Sequence, residues 1–367
     1  MIKYKFKRKE KDDFWDTLRS RVNEYFKDNE LDKDANALME RKTIALFTLY
    51  LTPYFLLIFA GITNYWILMA LWVVMGLGKA FIGTAVMHDS VHGAYYKNKN
   101  RNWLITWSAT LIGVDKLIWK IQHNVIHHTY TNIEDTDEDI LPRFFFRFSE
   151  HQPKKWFHRF QHIYAPVFYC VPMLEWLTTK DFAKAIEYRQ RGFIKKGREF
   201  RIEFTKIIGR KLLYYIVFII IPILMIDIPI GASIAMIIGS NAVAGIMLAL
   251  IFQPAHVVPL TDFVKQEEED MESCWASHQL YTTTNFGMYN PILTWLVGGL
   301  NFQIEHHLFP DVCHIHYPQL ATIVQKTSKE YGLPYHSFPS FRAAVAGHFG
   351  HLKEMGRSTQ KLQVQGA

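Results

Sequence analysis

The sequence predicts an all-α, polytopic membrane protein: four transmembrane helices in two hairpins and a cytoplasmic helical cap holding a dimetal site. Three observations carry that expectation. Four apolar segments have bilayer-spanning length, lysine and arginine avoid both hairpin turns, and three histidine clusters sit at the ends of apolar segments. Of 367 residues, 49% are apolar and 20% charged, so a mean hydropathy near zero averages two distinct populations.

The elements follow in order within one predicted domain. Residues 1–42 form an N-terminal segment that starts with a basic run, Met1 to Lys9, and lacks the apolar core of a signal peptide. A first hairpin, 43–87, joins spans from about Thr43 to Ile62 and from about Asn64 into Met87. Residues 88–211 hold two histidine clusters. A second hairpin, 212–253, joins Leu212–Ile228 to Gly231–Gln253, and residues 254–367 hold the third cluster. At a rise of ~1.5 Å per residue each span reaches across a hydrocarbon core of ~30 Å, with tilt where needed. Shorter apolar stretches at 103–119, 163–177 and 291–300 are interrupted by polar residues and read as interfacial or re-entrant helices, or as cover for a site. Cys170, Cys274 and Cys313 form no spaced pair, which argues against a disulfide scaffold.

Charge placement sets the topology. Of 41 lysines and arginines, 12 precede the first span, 21 lie between 88 and 211, and 7 follow Gln253. With two hairpins, those three segments share one face, and the positive-inside rule makes it cytoplasmic. All three histidine clusters fall there. The remaining cation, Lys79, is expected to snorkel at the interface, with the second helix continuing beyond it as a stalk.

The clusters are His88-Asp89-Ser-Val-His92, His123-Asn-Val-Ile-His127-His128 and Gln303-Ile-Glu305-His306-His307. Partners four apart share a helix face. His128, one position further round, lets a second metal be reached from the same helix. Imidazole suits iron, zinc, copper and nickel, so the nitrogen count does not select the metal. A single pair carries little weight: His158 and His162 have the same spacing inside a basic, aromatic stretch that reads as an interfacial helix. His314, His316, His336, His348 and His351 read as surface residues or as supports behind the ligands. His256, just after the fourth span, falls in the same layer as His88 and is a further candidate ligand.

These boxes carry a resemblance. The chain resembles the membrane fatty acid desaturases from the first span to about residue 320, with two spans before the first box and two before the third. Gln303 in place of a histidine is similar to the front-end subgroup, which inserts a double bond between an existing one and the carboxyl end. The surroundings of His127-His128 and of His306-His307-Leu-Phe-Pro310 resemble bacterial linoleoyl-CoA desaturase-type members. The resemblance implies two non-haem iron ions, with O₂ as co-substrate. By position their ligands are His88, His92, His123, His127, His128, His256, Gln303, His306 and His307. Asp89 and Glu305 are candidates to orient imidazoles from behind. The acidic run Glu134–Asp139 reads equally as a solvated loop or as having a role near the irons or the substrate headgroup. One departure matters: three residues, not two, separate His123 from His127.

The implied activity is cis-desaturation of a (poly)unsaturated acyl chain, of delta-5 or delta-6 type, by hydrogen abstraction at the irons. Implied partners are the bilayer, an acyl chain carried as CoA thioester or phospholipid, and an electron donor such as ferredoxin or cytochrome b5 with its reductase. That donor is expected to be a separate protein, because residues 1–42 are too short for a cytochrome b5 domain and lack its His-Pro-Gly-Gly motif. The expected location is an inner bacterial membrane, with both termini cytoplasmic. The basic stretch Arg189–Arg201 suits anionic headgroups at the membrane surface first, and phosphates of an acyl carrier or an acidic redox partner as alternatives; nucleic acid is not an expected partner, because basic charge follows the spans. The rivals are a di-iron lipid hydroxylase or sphingolipid desaturase, which share these boxes, and a non-enzymatic transporter or scaffold. A zinc metalloprotease would need His-Glu-x-x-His, which is absent.

Overall fold

The computed structural model describes residues 5–6, 13–140, 144–265, 270–271 and 274–358, and these are largely helical. Helix α1 (Asp13–Asp28) precedes a hairpin of α2 (Ala37–Phe59) and α3 (Tyr65–His92). Next comes α4, made of Lys116–Trp119 and a wide continuation, Lys120–His127. The short α5 (Gln161–Phe168) and α6 (Lys180–Arg191) lead into a second hairpin, α7 (Arg198–Met225) and α8 (Ile230–His256). The C-terminal part holds α9 (Trp275–Thr282), α10 (Gln303–Leu308), α11 (Tyr317–Glu330) and α12 (Phe341–Arg357). Two short parallel ladders complete it: β1 (Lys5–Phe6) with β2 (Asp270–Met271), and β3 (Asn285–Phe286) with β4 (Ser337–Phe338).

α2, α3, α7 and α8 are the four helices long and apolar enough to cross a bilayer among the described residues. Both helices of the first hairpin start cleanly. Asn36 accepts the amides of Leu38 and Met39 at the head of α2, and Asn64 does the same for Trp66 and Ile67 at the head of α3. Such caps contribute about 1 kcal/mol each. Outward residues such as Phe55, Phe59, Trp66, Leu224 and Ile230 stay exposed, as side chains facing lipid must. Gly76 permits the closest approach of α3 to α8, because a Cβ there would run into the Ser240 carbonyl.

The third span differs from expectation. Its helix begins at Arg198, not near residue 212, and ends at Met225. The extra turns are charged, so hydropathy missed them, and the two cations at their inner end are met by protein. Lys211 Nζ lies 2.7 Å from Asp181 and donates to the Gly113 carbonyl at 2.8 Å, while Arg210 pairs with Asp115.

Lys79 also differs from expectation. It does not snorkel: it is 3% exposed, and its ammonium donates to Tyr214 Oη on α7 and Asn241 Oδ1 on α8, both at 2.6 Å. The second helix does run on past it to His92, through a π-helical turn at Ile82–Met87. Three helices share the cost of burying the charge, so no path to water is needed. The shorter apolar stretches outside the spans form short helices with outward Trp103, Leu104, Ile163, Val167, Ile292 and Trp295.

Candidate metal centre

Four chain segments deliver the histidines to one buried layer. His88 and His92 end α3, His123 to His128 lie at the end of α4, His256 ends α8, and Gln303, His306 and His307 ride on α10. Local geometry explains each delivery. Asp115 caps α4 by accepting from Leu117 and Ile118 at 2.9 and 3.3 Å. The helix then widens into a π-turn whose bonds span five residues, so the His128 amide donates to the His123 carbonyl at 3.0 Å. That turn absorbs the three-residue spacing: His123 and His128 point the same way, with Nε2 atoms 3.3 Å apart. α10 is set by Gly298 and Gly299, both at positive φ, where a Cβ on Gly298 would overlap the backbone of Thr84 and Ala85 in α3.

The donor atoms fall into two sets. One consists of His88, His92, His123 and His306, the other of His127, His256 and His307, and within each set the donors lie within 4.8 Å of one another. His128 groups with His306 and His307, its ring centroid 4.5 and 4.4 Å from theirs. The expected ligands thus converge, His256 included, and the two sets adjoin, because His123 and His127 also group with Asp139. Gln303 is buried one helical turn before His307, and its Oε1 has no partner.

The residues fit metal ions. At least one ring nitrogen of His88, His92, His127, His128, His256, His306 and His307 is buried with no hydrogen-bond partner. Each such atom costs roughly 1–3 kcal/mol unless something binds it. Burial and neighbouring imidazoles hold His128, His306 and His307 well below the ordinary histidine range, and burial pushes His123 down to about 4 against the pull of Asp139. Neutral imidazole is the ligating form.

A second ring of groups fixes the opposite nitrogens. His123 Nδ1 meets Asp139 at 2.6 Å, and His127 Nδ1 meets Asp137 at 2.8 Å. His306 Nδ1 faces Tyr317 Oη at 3.1 Å, and His307 Nδ1 faces Gln279 Oε1 at 2.9 Å. In each case Nε2 remains for a metal. Burial disfavours a charged His127, yet Asp137 and then Asp139 outweigh it and raise its pKa. Asn132, at positive φ, donates to the carbonyls of His256 and Asp262 at 2.9 and 3.0 Å and so ties this loop to the end of α8.

Asp137 and Asp139 of the acidic run therefore act as supports, the half-buried Glu138 binds Tyr188, Lys184 and Arg191, and Asp135 is exposed. Glu305 does not orient an imidazole. It points away from the histidines and accepts from Asn285 and Tyr335 at 2.8 and 2.9 Å, and burial, against those two bonds, pushes its carboxyl up to about 7. Asp89 does face His88 Nδ1, at 3.6 Å. His158 and His162 stay apart from the centre. His158 sits in a 3-10 turn, which breaks the expected face, and its Nδ1 accepts from the Lys155 amide. His314, His316, His348 and His351 are buried, contrary to a surface reading, and His348 and His351 bond the carbonyls of Val257 and Phe148. Gln279 and Tyr317 carried no spacing signal, because their positions depend on tertiary contact.

A family model described as fatty acid desaturase matches residues 64–339. The chain is 35% identical over 356 residues to an acyl-lipid (8-3)-desaturase of Physcomitrium patens, covering 96% of this chain and 74% of that protein. It is 31% identical to an sn-1 linoleoyl-lipid 6-desaturase of Arthrospira platensis, covering 95% and 94%. It is also 31% identical to a protein of the same description from Synechocystis, covering 93% and 95%. Four apolar helices, converging histidine boxes and these matches agree: the chain belongs to the fatty acid desaturase family.

Proposed function

We propose that this protein is an O₂-dependent front-end desaturase that places a cis double bond in a (poly)unsaturated acyl chain, of delta-5 or delta-6 type. The observation that carries the reading is the buried layer of partnerless imidazole nitrogens in two sets, each set large enough for one metal. The names of the relatives, a 6-desaturase and an (8-3)-desaturase, support the front-end position, as does Gln303.

Two irons would be held by His88, His92, His123, His127, His128, His256, Gln303, His306 and His307. When bound, they supply the oxidant strength that no side chain has for breaking a methylene C–H bond. The chain's own part is to orient the ligands through Asp137, Asp139, Tyr317 and Gln279, and to keep water out. The distribution of basic residues supports a cytoplasmic site with cytoplasmic termini in an inner bacterial membrane. Acyl-CoA or phospholipid as carrier, and ferredoxin or cytochrome b5 as electron donor, complete the proposal.

Expression in a host supplied with defined polyunsaturated acids, followed by double-bond mapping of its lipids, tests this. A new cis bond on the carboxyl side of an existing one is the expected product. Oxygen retained in the lipid would make the protein a hydroxylase, and unchanged lipids in a membrane containing folded protein would overturn the reading.

A further inference from the structure

Behind the first histidine box lies a buried polar chain that joins the two ends of the molecule. His314 sits in a 3-10 turn between α10 and α11 and is 2% exposed. Lys42, near the start of α2 and 4% exposed, places its Nζ 2.8 Å from His314 Nε2. His314 Nδ1 lies 2.7 Å from Asp89 Oδ2.

The direction of these bonds follows from chemistry. An ammonium can only donate, so His314 Nε2 accepts, the ring proton resides on Nδ1, and Nδ1 donates to Asp89. The same carboxylate oxygen receives the His314 amide at 3.2 Å and the Cys313 thiol at 3.1 Å. Three donors on Oδ2 leave Oδ1 free, 3.6 Å from His88 Nδ1, which has no other partner. By distance alone, Asp89, Cys313 and His314 also form a metal-sized trio. The Lys42 ammonium already supplies the positive charge there, and each of the three is engaged in the bonds above. Gly299 at positive φ packs on His314, where a Cβ would come within 2.7 Å of the His314 Cβ, and this fixes the ring's place.

We infer that His314, with its tautomer set by Lys42, is a positioning residue for the metal centre: it holds Asp89 so that the free carboxylate oxygen orients His88. The supports of His123, His127, His306 and His307 touch their imidazoles directly, whereas the support of His88 is itself held by a residue 225 positions away in sequence. The inference rests on the proposed iron centre.

The test uses purified full-length protein loaded anaerobically with ferrous iron. Iron per chain is measured against a competing chelator, and the near-infrared circular dichroism of the ferrous form is recorded. His314→Leu removes donor and acceptor together; His314→Gln keeps one of each; Lys42→Met removes the donor that sets the tautomer. The expected result is a loss of iron affinity of about 10–100-fold in His314→Leu with altered ligand-field bands. His314→Gln should restore most of both, and Lys42→Met should shift the bands by itself but add nothing to His314→Leu. Unchanged bands and affinity in His314→Leu and Lys42→Met overturn the inference while leaving the desaturase reading intact. Equal losses in His314→Gln and His314→Leu reduce His314 to a packing residue and also overturn it. Should His314→Leu fail to fold, Lys42→Met decides by the same two readouts. A wild-type protein that takes up no iron overturns both readings.

Discussion

His123 and His128 stand five residues apart in sequence, yet their Nε2 atoms approach to 3.3 Å, because a π-helical turn puts every fifth residue on one face. The extra residue in the second box is thus accommodated by backbone geometry. An α-helical turn would rotate His128 away by roughly 100° per residue.

Removing Val125, an exposed residue inside that turn, should therefore separate the two metal positions. Iron per chain is expected to fall from about two to about one or below. Metal analysis of the purified deletion variant checks this, and an unchanged stoichiometry would contradict the role given to the π-turn.

Asp137 and Asp139 hold the Nδ1 atoms of His127 and His123. Asp137→Asn and Asp139→Asn should each weaken iron binding by about 10–100-fold, with desaturation falling in step. Because both act through the same site, the double variant should lose less than the product of the two. Competition with a graded chelator gives the affinities.

His256 is a ligand candidate outside the three boxes, and it groups with His127 and His307. His256→Ala is expected to abolish desaturation and to halve the iron content, since the other set keeps His88, His92, His123 and His306. Chelator treatment of wild-type protein should abolish activity in the same way, with recovery on adding ferrous iron. Full activity in His256→Ala would remove this residue from the centre.

Lys79, Tyr214 and Asn241 form one buried node. Asn241→Leu leaves the ammonium short of an acceptor and should cost about 3–5 kcal/mol, whereas Lys79→Met, which removes the charge itself, should be close to neutral. Thermal unfolding in detergent distinguishes them. Equal losses in the two variants would mean that the node acts by shape rather than by charge.

The spans and boxes were legible because their signals are local: apolar length for α2, α3 and α8, and close histidine spacing for the ligands. His256 was legible from topology alone, since the fourth span had to end in the same layer as the second. What escaped depends on distant partners. The fate of Lys79 is decided by Tyr214 and Asn241, 135 and 162 residues away, and no window around position 79 contains them. The settings of Arg210 and Lys211 in α7 were hidden for the same reason, as Asp115 and Asp181 neutralise them. Glu305 was misassigned by proximity in sequence: it neighbours His306, but the helix turns it towards Asn285 and Tyr335.

The bond between His314 and Asp89 also has a consequence for biogenesis. The two residues are separated by 225 positions, so at about 5–20 residues per second the first box waits on the order of ten to forty seconds for its support to emerge from the ribosome. Throughout that interval α3 already carries His88 and His92, but the groups that fix them do not yet exist. The proposed metal site is therefore completed late, together with the C-terminal segment. A chain truncated before residue 314 should enter the membrane as two hairpins and leave it to quality control without metal.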